Sequence, residues 1–195
     1  SGKKRWHVFS KTRYEFTNNI RGGLNIERTS DSTYFQRYKN LGVTRQNVLT
    51  SKAYLEGFWG RSYGQIQNVV FQGLRQGDRA ATTPKILPMV DYNFLSQPDK
   101  FGGRFSFDGN ILSLSRKEGA DMQRFSGTGS WQAPYLSSWG EVYTFGLKLR
   151  GDTYHIKDYN YTQPSSQQAI LQQKGPLFKG TISRALPQAY ADCRM

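Results

Sequence analysis

Apolar and polar residues alternate along most of this chain, and the alternation predicts β-strands. In residues 121–133, Phe125 and Trp131 share one parity, and residues 141–154 repeat the pattern with Phe145 and Leu147. Further segments with the same period, separated by turn residues, are 5–16, 24–28, 85–95, 104–116 and 178–195. Together with a hairpin at 47–74, these segments predict about nine strands and almost no helix.

The hairpin at 47–74 has its predicted turn at Gly60 and Arg61, and aromatic residues surround that turn. A second aromatic group surrounds the predicted turn at 134–140. Aromatic side chains beside hairpin turns are typical of a bilayer interface, although a soluble barrel also carries them. The sequence therefore gives six candidate membrane-interface aromatics: Phe58, Trp59, Tyr63, Trp131, Tyr135 and Trp139.

Irregular positions predict where the strands end or bend. A turn is indicated by Asn18, Asn19, Gly22 and Gly23, a loop with one helical turn by residues 29–42, and a long loop by residues 155–175. Pro88 lies inside a strand pattern and predicts either an edge strand or a β-bulge, because proline cannot donate to the ladder. The apolar parity also slips at Ile111 and Leu112, where a second bulge would restore one apolar face.

The predicted strands are about 10 to 14 residues long, whereas strands of soluble sheets are typically about five or six. Such lengths match or exceed what a tilted strand needs to cross a bilayer. The predicted fold is therefore all-β, an antiparallel up-and-down section of a transmembrane β-barrel whose polar parity faces a wet lumen. An open set of about nine strands would leave two unpaired edges.

Charge points to an anionic partner. The chain has 27 Lys and Arg against 14 Asp and Glu, a net charge of +13. Nucleic acid, an anionic membrane surface and a phosphorylated glycolipid are the usual partners of such an excess. Five basic residues fall on the polar parity of predicted strands: Lys52, Arg104, Arg124, Lys148 and Arg150. They form either a solvated face balanced by nearby acids or an electropositive lumen that guides a phosphorylated anion.

The sequence offers no catalytic chemistry. It has no phosphate-binding glycine loop, no zinc-protease HExxH motif and no nucleophile elbow. The single cysteine, Cys193, cannot form an intrachain disulfide, and His7 and His155 are interpreted as polar strand positions. We expect no cofactor, no metal and no enzymatic activity. No apolar run reaches the length of a membrane helix, and no signal segment is expected at the start.

Four spaced motifs resemble one family. They are Thr-Ser-Asp-Ser-Thr-Tyr-Phe at 29–35, Leu87 and Pro88 followed by Val90, Asp91 and Tyr92, the spacing of Arg116, Gly119, Asp121 and Arg124, and Arg-Ala-Leu-Pro-Gln at 184–188. In order and spacing they resemble the LptD family of lipopolysaccharide-assembly proteins in Gram-negative outer membranes.

The resemblance implies a location in the cell outer membrane and a barrel of about 26 strands. It also implies an LptE-type lipoprotein plug, an N-terminal jellyroll that receives lipopolysaccharide from an LptA-type bridge, and release through a lateral gap. The partners are then lipopolysaccharide and outer-membrane lipids rather than nucleic acid. Residues 1–195 are expected to be a middle part of that barrel, without jellyroll or signal peptide, and Cys193 matches none of the family's disulfide cysteines.

Two alternatives stay open on the sequence alone. The chain could belong to another outer-membrane barrel, such as a porin or a receptor. It could also be a soluble basic β-domain that binds nucleic acid or a glycan. The second alternative predicts salt-sensitive binding without lipid.

Overall fold

Nine strands in sequence order form one antiparallel sheet in the computed structural model of the chain. The structure describes residues 4–37, 47–75, 77–160 and 177–194. The elements are β1 (His7–Thr17), β2 (Ile20–Thr29), α1 (Tyr34–Arg37), β3 (Val48–Trp59), β4 (Ser62–Gly73), β5 (Lys85–Leu95), β6 (Arg104–Ser115), β7 (Asp121–Leu136), β8 (Val142–Asn160) and β9 (Leu177–Arg194). Each strand pairs with its neighbours in sequence, which confirms the predicted all-β, up-and-down fold.

The sheet is open. In the part of the chain that the structure describes, β1 and β9 are its two edges and do not pair with each other. Ten to nineteen residues make up each strand. Long strands in an open up-and-down sheet are what a section of a barrel wall requires.

The two ends of the strands carry different connections. At one end the connections are residues 18–19, 60–61, 96–103 and 137–141, and we call this end the turn edge. At the other end they are residues 30–47, 74–84, 116–120 and 161–176, which define the loop edge. The turn at Gly60 and Arg61 lies where the sequence predicts it, and Gly60 has a φ of 60° that favours glycine.

The strand register defines two faces, because directly opposed residues of an antiparallel pair project to the same side. The apolar face carries the opposed residues Leu55, Ile66, Val90, Ile111 and Phe125 of β3 to β7. The polar face carries the residues that alternate with them. Little of the apolar face is covered within this chain, since Leu55, Ile66, Ile111 and Phe125 are exposed. Among the described residues only Leu49 is a large side chain with no exposure.

Pro88 marks a β-bulge, which is one of the two alternatives that the sequence predicts, the other being an edge strand. Ile86 opposes Leu114 and Met89 opposes Leu112, so β5 has one extra residue at this point. The bulge predicted at Ile111 and Leu112 is wrong, because the register between β6 and β7 runs without a shift. The irregularity lies in β5 instead, where Pro88 has no backbone N–H to donate and so interrupts the hydrogen-bond ladder. As a result Leu112 and Leu114 stay on the polar face.

Several predicted boundaries also need correction. The first predicted turn is formed by Asn18 and Asn19 alone, since Gly22 and Gly23 lie inside β2. A Cβ at position 23 would come within 2.6 Å of the Tyr54 side chain on the next strand, so that the ring would have to move. β7 continues to Leu136, and β8 continues through His155, which opposes Gln123 and Thr181.

The predicted loop at 29–42 contains the expected helical turn as α1, after β2 has continued to Thr29. Residues 38–42 of that loop lie outside the described residues. The same holds for residues 161–175 of the predicted loop at 155–175.

Candidate functional site

A row of opposed polar residues crosses all nine strands on the polar face. We call it the transverse row, and its members from β1 to β9 are Glu15, Arg21, Glu56, Gln65, Asp91, Asn110, Ser126, Asp152 and Arg184. Uninterrupted polarity across nine strands is unexpected for a face packed against a core. The polar face is therefore suited to water or to a polar ligand, and we treat it as the candidate site.

At the β7–β9 end of the row, Asp152 collects three donors. Ser126 Oγ donates to Oδ1, and the Nε atoms of Arg150 and Arg184 lie 3.2 and 2.8 Å from Oδ2. The Asp152 side chain is only 1 % exposed, whereas those of the two arginines are 50 % and 65 % exposed. The carboxylate thus anchors two guanidinium groups that remain accessible from the polar face.

At the β2–β4 end, Glu56 is the corresponding acceptor, but it contacts only one cation. Arg21 Nε donates to Glu56 Oε1 at 2.5 Å, and the Tyr63 hydroxyl donates to Oε2 at 3.1 Å. The guanidinium of Arg21 also lies 4.6 Å from the centroid of the Phe58 ring. This end of the row is locally neutral, because one arginine meets one carboxylate.

In the middle of the row, acids pair with amides. Asn110 Nδ2 donates to Asp91 Oδ1 at 2.6 Å, and Asn93 Nδ2 donates to Asp108 Oδ1 at 2.5 Å. Arg124 Nη2 donates to the side-chain amide oxygen Oδ1 of Asn110 at 2.6 Å. Asp91 and Asp108 form no salt bridge with any described residue, and each carboxylate opposes an asparagine.

All five predicted basic residues lie on the polar face, but their surroundings differ. The Lys52 ammonium lies 4.9 Å from the Tyr54 ring centroid, and two strands separate it from the other four. Arg150 is ion-paired and Arg124 is bonded to an amide. Arg104 and Lys148 form no ion pair, side-chain hydrogen bond or cation–π contact with any residue the structure describes, so of the five they are the two left to meet a ligand. A role in guiding a substrate stays a prediction for all five.

The six predicted interface aromatics all lie near the turn edge, but not on one surface. Trp59, Trp131 and Tyr135 are on the apolar face. Phe58 and Tyr63 oppose each other on the polar face, with ring centroids 5.1 Å apart. Trp139 is in the 137–141 turn and is 89 % exposed. Their contact with a bilayer interface stays a prediction.

Sequence reasoning did not assign Arg21, Ser126 or Arg184 to the site, although Ser126 lies on a predicted polar parity and Arg184 is part of a quoted motif. Arg21 precedes two glycines that were interpreted as a turn, which hid its place in β2. Arg184 reaches Asp152 only through the register of β8 and β9, which are separated by a long connection. Charge complementarity at equal strand depth was the available signal, but it requires the register to be known first.

Two of the quoted motifs stabilise connections at the ends of strands. Asp31 accepts hydrogen bonds from Ser30 Oγ at 2.9 Å and from Thr33 Oγ1 at 2.9 Å, and lies 3.6 Å from Arg5. Burial raises the pKa of this carboxyl, but the hydrogen bonds from Thr33 and Ser30 and the charge of Arg5 outweigh that effect and lower it. The motif thereby ties the loop after β2 to the start of β1.

The spacing of Arg116, Gly119 and Asp121 forms the β6–β7 turn. Asp121 Oδ1 accepts the Arg116 backbone N–H at 2.7 Å, and Gly119 has a φ of 118°. A residue with a Cβ would be strained at that angle. The motif therefore fixes a tight connection at the loop edge.

In the described ranges, no three His, Cys, Asp or Glu side chains are placed to hold a metal ion. None of the helices in those ranges has the length and apolarity needed to span a bilayer.

Comparison with known proteins agrees with the motifs. The model of one family, described as LptD, LPS transport system D, matches residues 3–195. No curated protein matches the chain significantly. The match extends over nearly the whole chain and confirms the resemblance drawn from the four motifs. On this evidence the chain belongs to the LptD family of lipopolysaccharide transport proteins.

Proposed function

We propose that this chain forms a section of the wall of an outer-membrane β-barrel that assembles lipopolysaccharide into the outer leaflet. The observation that carries the proposal is the contrast between the two faces. The transverse row is polar from β1 to β9, while the neighbouring row on the other face is apolar from Leu55 to Phe125. A barrel wall with a wet interior and a lipid-facing exterior has this alternation.

The orientation follows from the connections. Bacterial barrels have short periplasmic turns and longer exterior loops. The turn edge, with two-residue turns at 18–19 and 60–61, then faces the periplasm, and the loop edge faces the cell exterior. Trp59, Trp131, Tyr135 and Trp139 lie at the periplasmic interface in this arrangement. Phe58 and Tyr63 belong to the lumen wall instead.

The unpaired edges support a partial wall. β1 and β9 each leave one side without a strand partner in the described sheet, and open edges are not tolerated in hydrocarbon. Residues 1–195 are therefore one part of a barrel domain whose other strands cover both edges. The LptE-type plug and the LptA-type bridge then act in the same transport process, the plug inside the barrel and the bridge through a jellyroll domain.

The lumen wall guides the substrate by charge and performs no covalent chemistry. Lipopolysaccharide carries phosphates, and Arg104, Lys148 and the Asp152-anchored arginines offer cations to them from β6 to β9. Arg104 and Lys148 are the best positions to test, because their replacement breaks no ion pair among the described residues.

The test is charge reversal at these positions in the cell that normally carries the protein. Arg104→Glu with Lys148→Glu should slow the appearance of newly made lipopolysaccharide at the cell surface by at least about threefold at equal barrel abundance. The matched control reverses two exposed cations at the turn edge, Arg61→Glu with Lys100→Glu, and should leave delivery unchanged. Equal delivery in both variants would mean that the cations form only a solvated face.

The soluble alternative makes an opposite prediction. A barrel wall requires detergent or lipid and gives a protein whose migration on gels changes on heating. A monodisperse monomer without detergent, binding nucleic acid with a strong salt dependence, would contradict the membrane assignment.

A further inference from the structure

A second positively charged site lies at the loop edge, apart from the transverse row. A cavity of about 360 Å³ lies between the end of β2, the β4–β5 connection and the β6–β7 turn. Its volume falls within the range of small-molecule sites. Arg28, Lys85 and Lys117 line this cavity, so three cations from distant parts of the sequence meet around one space.

Two of these cations belong to the apolar side of the sheet. Arg28 opposes Val8, and it has the parity of Leu24 in β2. Lys85 opposes Val70 and Ser115, and Val70 has the parity of Ile66 in β4. The cavity therefore lies where the apolar face ends at the loop edge, which is the boundary between hydrocarbon and headgroups in the proposed orientation.

The cations are available. Arg28, Lys85 and Lys117 are all exposed, and none of them forms an ion pair with the residues described by the structure. Asp78 is a carboxylate in the same lining, and its Oδ2 already accepts the Arg75 backbone N–H at 2.9 Å. Three positive charges against one carboxylate leave the cavity electropositive.

The walls of the cavity are held together independently of any ligand. Arg79 Nη2 lies 2.9 Å from Glu118 Oε2, and the Glu118 backbone N–H donates to the Ala81 carbonyl oxygen at 2.9 Å. These contacts join the β4–β5 connection to the β6–β7 turn that carries Lys117. The Ser32 hydroxyl is also in the lining and can donate a hydrogen bond, whereas Thr83 Oγ1 already donates to the Arg79 carbonyl oxygen at 3.0 Å.

We propose that this cavity binds a phosphate group of lipopolysaccharide that already lies in the outer leaflet beside the barrel. The inference rests on the proposed membrane orientation, but it assigns an exterior lipid site that is distinct from the lumen face. Clustered cations with a hydroxyl donor are the chemistry that recognises a phosphate, and the adjoining apolar face accommodates the acyl chains.

The experiment uses the complete protein in lipid nanodiscs, with lipopolysaccharide and its enzymatically dephosphorylated form as probes. Lys85→Gln with Lys117→Gln should reduce retention of lipopolysaccharide at least about tenfold, because two charge-assisted contacts are lost. Retention of the dephosphorylated form should be equally weak in the native protein and in this variant. The control, Arg61→Gln with Lys100→Gln, removes the same charge at the turn edge and should retain lipopolysaccharide as the native protein does.

The outcomes separate this site from the proposed function. Equal retention of both lipids by the native protein, or equal losses in the test and control variants, overturns the phosphate site. Binding of inorganic phosphate without preferential retention of lipopolysaccharide also overturns it, because the occupant is then a free anion. Failure of the barrel itself is recognised separately, by a native protein that does not enter nanodiscs or change its gel migration on heating.

Discussion

The two faces of strands β6 to β8 differ although they share one backbone. On one face Asn110, Ser126 and Asp152 oppose one another, and one residue away Ile111 and Phe125 do so on the other. Both faces expose large side chains: Leu149, beside Arg150, is 57 % exposed. Burial within the chain therefore does not explain the alternation, and the difference teaches that two unlike surroundings, one wet and one apolar, act on this sheet.

The largest effect should come from placing a charge on the apolar face. Leu149→Arg puts a guanidinium into hydrocarbon and should destabilise the barrel by about 2–4 kcal/mol. Thr128→Arg is the matched control at nearly the same depth, since Thr128 opposes Asp108 and Arg150 on the polar face. Reversible unfolding in lipid vesicles measures both, and equal costs would show that the two faces do not meet different surroundings.

Removal of the Asp152 carboxylate should have the next largest effect. Asp152→Asn leaves Arg150 and Arg184 without their shared counter-charge and weakens the contact between β8 and β9. Glu56→Gln should cost less, because only Arg21 loses its partner there. The temperature at which the folded form disappears from unheated-type gel migration should fall further for Asp152→Asn than for Glu56→Gln. The reverse order would contradict the assignment of Asp152 as the anchor of the polar face.

A smaller effect is expected from a methyl group on glycine, with a sign that depends on the space available. Gly23→Ala should destabilise by about 1–3 kcal/mol, because the new Cβ would collide with the Tyr54 ring on the polar face. Gly129→Ala on the apolar face should be nearly neutral, since its Cβ would meet nothing within 4 Å. Urea midpoints compare the two, and a neutral Gly23→Ala would show that Tyr54 does not pack there.

The smallest effect concerns Asp99, in the turn where the apolar face ends. The indole N–H of Trp131 donates to Asp99 Oδ2 at 3.0 Å and, with the backbone N–H groups of Phe101 and Gly103, lowers the pKa of this carboxyl. Its stabilising contribution is therefore complete above the ordinary aspartate pKa and is lost as the pH falls through the lowered value. Trp131 fluorescence should stay constant down to below about pH 4. A change centred above pH 4 would contradict this contact, and Asp99→Asn should remove the acid transition.

The sequence was sufficient for the fold where alternation was clean. The hairpin at 47–74 and the positions of β7 and β8 follow from period 2, which depends only on a strand having two unlike surroundings. The same alternation predicts that Lys148 and Arg150 lie on the polar face.

The remaining features depend on what lies beside each strand. The change of apolar parity at Ile111 and Leu112 could not show which strand carries a bulge, because register is a property of two paired strands. The structure places the bulge at Pro88 and leaves the register of β6 with β7 continuous. Gly22 and Gly23 resembled a turn, although Gly23 makes room for Tyr54. The loop-edge cavity depends on the contact of Arg79 with Glu118, which joins residues distant in sequence.

The most direct test of the central claim is accessibility along β8. Single cysteines at residues 145–150, in a protein whose exposed Cys193 is replaced by Ser, can carry spin labels in lipid vesicles. Labels at Phe145, Leu147 and Leu149 should be relaxed by oxygen, which concentrates in lipid, and labels at Gly146, Lys148 and Arg150 by a water-soluble nickel chelate. Accessibility that does not alternate with period 2, or that alternates in the opposite phase, would contradict a barrel wall with its polar face toward the lumen.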